Sequence, residues 1–359
     1  MVRKAGFIIV LMTALISAAS VAAQSVSAET ISFEIACGDV TVANPEPSDL
    51  CRQVMALRPV PSYASAPLDS DTIDNYGFWK VTAEGGASVY GAPGGAVTRT
   101  LGGFSYVSET GSNADWVQIG GGEWMRKADL TYTEPTDLRG LLIDDGLPND
   151  YAYILGNVIT SPYPGAPADI ATGVRKYYYN LVHIFASVEL DGWRWYMVGP
   201  NQWVEQRQVS KVSLTERPEG VSGRWVAVDL YEQTMVAYED DTPVFSTIVA
   251  TGLSEWKTNE GLFEVWYRVP FGSMSGAFGA PDAYALQDVP WTLYFDGDIS
   301  LHGTYWHSSF GFRRSHGCVN LSISDARWVF MWMREATAPM NEDGDVQNFV
   351  YVYSSDEYR

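Results

Sequence analysis

The chain has 359 residues, enough for two domains of about 150 residues each or for three small ones. With 46% hydrophobic and 18% charged residues it has the composition of a folded chain, not of a disordered tail or a coiled coil. The 43 acidic against 23 basic side chains give a net charge of −20, which argues against nucleic acid as a partner and against a polybasic grip on a membrane surface. High counts of Gly (33), Trp (13) and Tyr (21) point to strands and turns.

Arg3 and Lys4 precede an apolar run from Phe7 to Ile16, and small residues follow from Ser17 to Ala23. Basic, apolar and small segments in that order predict a secretory signal peptide over residues 1–23, cleaved after Ala23 or as late as Ala28. The competing reading is an uncleaved anchor. Gly6 to Ala23 barely reaches the length of a span, and its second half is rich in Ser and Ala. The protein is therefore expected to be exported, to the periplasm, cell wall or medium, with membrane contact only if the signal is kept. Loss of Arg3 and Lys4 takes the formal charge from −20 to −22. Export implies an oxidising compartment. Of the three cysteines, Cys37 and Cys51 are near enough in sequence to pair, which leaves Cys318 as an unpaired and reactive thiol.

Residues 24–77 are broken by Pro45, Pro47, Pro59, Pro61 and Pro67 and read as a leader or linker with one short helix near Asp49 to Leu57. Residues 78–133 alternate strand-like runs, such as Trp79 to Thr82 and Trp116 to Ile119, with glycine turns. Residues 150–213 repeat the scheme. Val89 to Gly94 has a counterpart in Thr160 to Gly165, Asp115 to Ile119 in Gly192 to Tyr196, and Glu123 to Leu130 in Gln202 to Val209. The repeated pattern of turn, Trp strand, glycine turn and second Trp strand resembles bacterial SH3-like domains in two divergent copies. That resemblance implies two small β-barrels that dock on wall peptide or glycan, or that act as spacers. Most of the Trp residues read as core. Residues 222–353 form a third unit. Strands are expected at Arg224 to Leu230, Met235 to Tyr238 and Val244 to Ala250, with a turn at Asp240-Asp241. A helix is expected from Ser324 to Ala336, capped by Ser322 or Ser324. The fold class is mainly β: a β-rich sandwich with one packed helix, preceded by two small barrels.

The chain has four histidines, and three of them (His302, His307 and His316) lie within 16 residues of Cys318. The sequence reads His302-Gly303-Thr304, a loop, then Ser315-His316-Gly317-Cys318-Val319-Asn320. A thiol beside imidazoles suits acyl transfer, with the sulfur as nucleophile and a histidine moving its proton. Gly303 and Gly317 allow close approach of a substrate to the backbone, and amide N–H groups near Cys318 suit an oxyanion. A zinc site built from the same side chains is the weaker alternative, because a fourth ligand is lacking unless His307 serves. His307 reads as an exposed loop residue, and His183, between Val182 and Ile184, as a structural one.

These motifs resemble the L,D-transpeptidase catalytic (YkuD) family of bacterial cell-wall enzymes, over about residues 222–353. Thr251-Gly252 and Thr258-Asn259-Glu260-Gly261-Leu262-Phe263 resemble further strand and turn segments of that family, with Asn259 where proline is usual. The resemblance implies Cys318 as nucleophile, His302 as its base, and the Gly303 carbonyl as the group that orients His302. It implies His316 as a support of the site, with Ser315, Gly317, Asn320 and Arg314 along the substrate loop and Trp306 and Tyr305 lining the donor pocket. No metal or organic cofactor is implied.

The implied reaction joins two peptidoglycan stem peptides. Cys318 attacks the carbonyl after the third residue of a tetrapeptide stem, the terminal D-amino acid leaves, and an amine of a second stem resolves the thioester into a 3→3 cross-link. Carbapenem β-lactams are the expected inhibitors. Water as acceptor would make the protein an L,D-carboxypeptidase instead. A wall-binding protein with a silent catalytic unit is a further alternative. A Cys/His endopeptidase fits less well, because both candidate histidines precede Cys318. Residues 271–288, rich in Gly, Ala and Ser, are expected to form a mobile lid.

Overall fold

A computed structural model describes residues 31–144, 146–147, 149–276, 283–334 and 347–357. The predicted signal peptide lies outside the described residues. No helix among the described residues is long and apolar enough to cross a membrane.

The segment read as a leader is structured from Ile31 onward. Helices α1 (Phe33–Cys37) and α2 (Asp49–Leu57) are capped by Ser32 and Ser48, whose side chains accept from the N–H groups of Ile35 and Cys51. A disulfide joins Cys37 to Cys51, as the spacing suggested. In α2 the buried residues Cys51, Val54 and Met55 fall at positions i, i+3 and i+4, so the helix is amphipathic. With Phe33 and Cys37 they pack on Phe185, Val188, Met197 and Trp203 of the second repeat. This corrects the linker reading: two short helices here, one of them flanked by the prolines, share a core with residues 185–203.

The segment read as the first repeat contains β1 (Gly77–Val81), β2 (Ala87–Tyr90), β3 (Val97–Leu101), β4 (Ser105–Ser112), β5 (Trp116–Ile119), β6 (Trp124–Arg126) and β7 (Leu130–Thr133). Their pairings run β7-β1-β4-β5-β6-β2-β3, a curled sheet around Val81, Val89, Val107, Val117, Ile119 and Met125. The second repeat contains β8 (Tyr151–Ile154), β9 (Leu181–His183), β10 (Ala186–Leu190), β11 (Trp193–Gly199), β12 (Gln202–Glu205) and β13 (Val209–Val212). These form two small sheets, β9-β8-β13 and β10-β11-β12.

The third unit is a sandwich. Strands β14 (Arg224–Asp229), β15 (Thr234–Glu239), β16 (Thr242–Ile248), β17 (Gly261–Glu264) and β22 (Phe349–Tyr353) lie in one sheet, with Asp240 turning β15 into β16 at φ 52. Strands β18 (Tyr267–Gly276), β19 (Tyr284–Asp296), β20 (Ile299–Gly303) and β21 (Val319–Leu321) lie in the other. Helix α3 (Ile323–Arg334) packs on β19 and β20. The Ser322 hydroxyl accepts the Asp325 N–H at its start, as expected of a cap. Val226, Val228, Phe245, Leu293, Leu301, Val319, Val329 and Phe330 fill the space between.

The units are not separate beads. Strand β4 of the first repeat runs parallel to β19, so a single sheet crosses from that repeat into the third unit. On the other side, Tyr151, Tyr153 and Val212 of the second repeat share a core with Trp225, Tyr238 and Phe310.

Candidate active site

Strands β20 and β21 pair in parallel, with His302 opposite Asn320 and Gly303 opposite Leu321. Alternation along β20 puts Ser300 and His302 on one face. The connection from Thr304 to Cys318 is tied down at its far end. Thr251 accepts the Arg314 and Ser315 N–H groups at 2.7 and 3.0 Å, and the Thr258 hydroxyl donates to the Gly317 carbonyl at 2.7 Å. The Ser315 hydroxyl accepts the Gly317 N–H at 3.1 Å and donates to the Cys318 carbonyl. Gly317 has φ +117, and a Cβ there would lie 3.3 Å from Ile299 Cδ1, so this turn requires glycine.

This loop delivers Cys318, the free cysteine, to a narrow cavity that His302, His316, Asn320, Arg314 and Trp306 also line. The Cys318 thiol donates weakly to the Asp298 carbonyl at 3.8 Å, and the Ser300 hydroxyl lies 3.7 Å from the sulfur. These contacts are with a carbonyl and a hydroxyl, not with an imidazole. Burial pushes the Cys318 thiol up, against the opposing pull of Ser300.

His302 is buried, and its Nδ1–H donates to the Gly303 carbonyl at 3.2 Å, which leaves Nε2 as the nitrogen able to take a proton. Burial pushes this imidazole down to about 4. His316 lies between the rings of Trp256 at 4.2 Å and Tyr284 at 5.1 Å, each tilted to its own. Among the described residues no group of three or more His, Cys, Asp and Glu is placed to hold a metal ion.

Residues 223–347 match the L,D-transpeptidase catalytic domain family, YkuD. This segment is an L,D-transpeptidase catalytic domain. Among solved structures, an L,D-transpeptidase from Stackebrandtia nassauensis is 25% identical over 40% of this chain and 60% of its own, with a TM-score of 0.30. A mutant of the Enterococcus faecium L,D-transpeptidase is 24% identical over 37% and 50%, at a TM-score of 0.31. The L,D-transpeptidase LdtMt1, solved in complex with imipenem, is 17% identical over 44% and 76%, at 0.31. The chain spans about half to three-fifths of the first structures it matches. No curated protein matches.

Within the transpeptidase domain the motif residues fall into two groups. His302, Arg314, Ser315, His316, Cys318, Asn320 and Trp306 come together around the cavity, with the Trp306 ring 5.5 Å from that of His302. Gly303 packs against Pro290, where a Cβ would lie 2.9 Å from Cγ. Ser315 lines the cavity, but its hydroxyl is engaged within the loop. Tyr305 is a correction. It is buried, stacked on Phe78 at 3.9 Å, and its hydroxyl donates to the Gln287 carbonyl, so it is a core residue and not a pocket wall.

His307 is a second correction: it is half-buried and pairs with Asn320, with His307 Nε2 2.8 Å from the amide. The Ser309 N–H donates to His307 Nδ1 at 3.2 Å, and burial pushes the ring down to about 3, so a single proton sits on Nε2. That proton must be donated, which requires the Asn320 oxygen to face the ring. With the nitrogen placed there instead, Oδ1 is left buried and without a partner. The hydrogen-bond chemistry therefore fixes the amide with its NH2 turned away from His307.

The expected lid is in part a hairpin. Within 271–288, Met274 pairs with Leu286 and Gly276 with Tyr284 as β18 and β19, and 277–282 lie outside the described residues. Met274, Tyr284 and Leu286 from this hairpin line the cavity. The sequence reading named none of them as site residues, and it missed Ser300. Ser300 was legible, since it is two positions from His302 on a strand.

Proposed function

We propose that this protein is an exported peptidoglycan L,D-transpeptidase that forms 3→3 cross-links through a thioester at Cys318. The observation that carries the reading is that the free thiol shares one cavity with His302 and His316 inside a transpeptidase domain. Sγ attacks the donor carbonyl while its proton passes to His302 Nε2. The S–C bond forms, the C–N bond to the terminal D-amino acid breaks, and the imidazolium returns its proton to the leaving amine. The acceptor amine then attacks the thioester and gives up a proton to His302, and the thiol is restored. Proton transfer from Sγ to His302 Nε2 accompanies the attack. The Gly303 carbonyl holds the His302 tautomer that this sequence needs.

The two N-terminal β units serve as SH3-like modules that position the catalytic domain on the wall, a role supported by their repeated turn and Trp pattern. Carbapenems acylate Cys318. The test is intact-mass spectrometry after mixing with a carbapenem. Wild type should gain one adduct and Cys318→Ala none, and a tetrapeptide donor with an acceptor stem should then yield the 3→3 dimer. A folded wild type that gains no adduct overturns the reading.

A further inference from the structure

One residue lining the Cys318 cavity lies outside the transpeptidase domain. Phe104, just ahead of β4 in the first repeat, lines the cavity together with Met274 and Leu286. It is 41% exposed, whereas the four residues after it, Ser105 to Ser108, are all buried. A large ring left open beside buried neighbours, and turned into a cavity that holds a nucleophile, is placed to meet a ligand.

Its position is fixed by backbone contacts. The Ala285 N–H donates to the Phe104 carbonyl at 3.2 Å, and Ser105 and Tyr106 lie opposite Ala285 and Leu286 in the parallel pairing of β4 with β19. The Ser108 N–H donates to Gln287 Oε1 at 3.3 Å, and the Tyr106 hydroxyl donates to the Trp306 carbonyl at 3.4 Å. The first repeat therefore holds one strand of the hairpin over the site and adds a ring beside it. Phe104, Met274 and Leu286 make an apolar wall, while Arg314 gives the same cavity a cation. A peptide with an aliphatic side and a terminal carboxylate complements such a cavity.

We propose that Phe104 is a specificity-determining contact for the acyl donor and packs on the aliphatic surface of its stem peptide. The active site is then completed by the first N-terminal repeat. This rests on the transpeptidase reading and adds to it the residue that selects the donor.

The test compares wild type, Phe104→Ala and Phe104→Leu in the full mature chain. Two rates are measured: thioester formation with a D-alanine-terminated tetrapeptide, and alkylation of Cys318 by iodoacetamide, which needs only access to the sulfur. Phe104→Ala should lower kcat/KM for the tetrapeptide about tenfold, mainly through KM. Phe104→Leu should recover most of the loss, and alkylation should stay within about twofold throughout. An unchanged kcat/KM in Phe104→Ala, or an alkylation rate that falls in parallel with it, overturns the inference. A wild type that accepts no tetrapeptide removes the transpeptidase reading and this inference together, while an active wild type matched by Phe104→Ala removes this inference alone.

Discussion

Glu232 gives the sharpest test of the physical reasoning, because one buried carboxyl there is forced to stay protonated. It lies in the turn between β14 and β15, 7% exposed, and its Oε2 accepts the Lys211 N–H of the second repeat at 2.7 Å. Burial first, and the nearby Asp229 second, push it up from 4.5 to about 8. A group whose folded pKa is raised adds stability that is complete below its unfolded value and is lost as pH rises through the folded one. The window here runs from about 4.5 to about 8. Each pH unit well inside it costs about 1.4 kcal/mol, so this residue alone should remove roughly 2–3 kcal/mol between pH 5 and pH 7. Glu232→Gln keeps an oxygen for the Lys211 N–H and does not titrate. Urea denaturation of both proteins at pH 5, 6, 7 and 8, without reductant, supplies the comparison. Linkage from all other groups is common to both and cancels in the difference. The variant should gain on wild type by about 1.4 kcal/mol per unit up to pH 7, with a smaller gain as 8 is approached. A difference that stays flat from pH 5 to 8 would refute the claim that Glu232 is buried and neutral.

Two further outcomes follow from local geometry. Gly317→Ala puts a side chain at φ +117 and a methyl 3.3 Å from Ile299 Cδ1, a strain of about 1–3 kcal/mol in the loop that presents the thiol. Carbapenem acylation of Cys318 should fall about tenfold or more while the circular dichroism spectrum is retained, and a rate within twofold of wild type would contradict the assignment. The double variant Cys37→Ser/Cys51→Ser opens a loop with a sequence separation of 14 and should lose about 3 kcal/mol of stability in urea. Its acylation rate should be unchanged, because the helices stapled by this bond pack on the second repeat and share no residue with the cavity; a parallel loss of both would show that the staple supports the site.

How much was legible in the sequence depended on how far apart the cooperating residues lie. Cys318 and His316 share a loop, and His302 stands on the strand next to Asn320, so one short motif carries most of the chemistry. Helix α2 was expected near Asp49 to Leu57, but the flanking prolines hid the fact that its buried face has a partner surface at residues 185–203. His307 was misjudged as an exposed loop residue. Only the fold shows that the Ser309 N–H and the Asn320 amide hold the ring. Tyr305 was misjudged in the opposite sense: proximity to the motif suggested the pocket, while the chain beyond β20 stacks it on Phe78.

Phe104 shows why the remaining wall was out of reach. Its segment reads as one more aromatic in a Trp- and Tyr-rich repeat, where the core reading is the sound one. What overrides it is the parallel pairing of β4 with β19, a contact between distant segments that no local pattern encodes. The same pairing bears on the chemistry. Burial in this cavity pushes the thiol up and His302 down. Part of its wall is the β18–β19 hairpin, and β4 continues the sheet of that hairpin. A catalytic unit cut free at residue 222 would lose that strand and the Phe104 ring and open the cavity to solvent. It would then react faster with a simple alkylating reagent and more slowly with a stem peptide. That opposite response of the two rates separates a wall that shapes the site from one that only covers it.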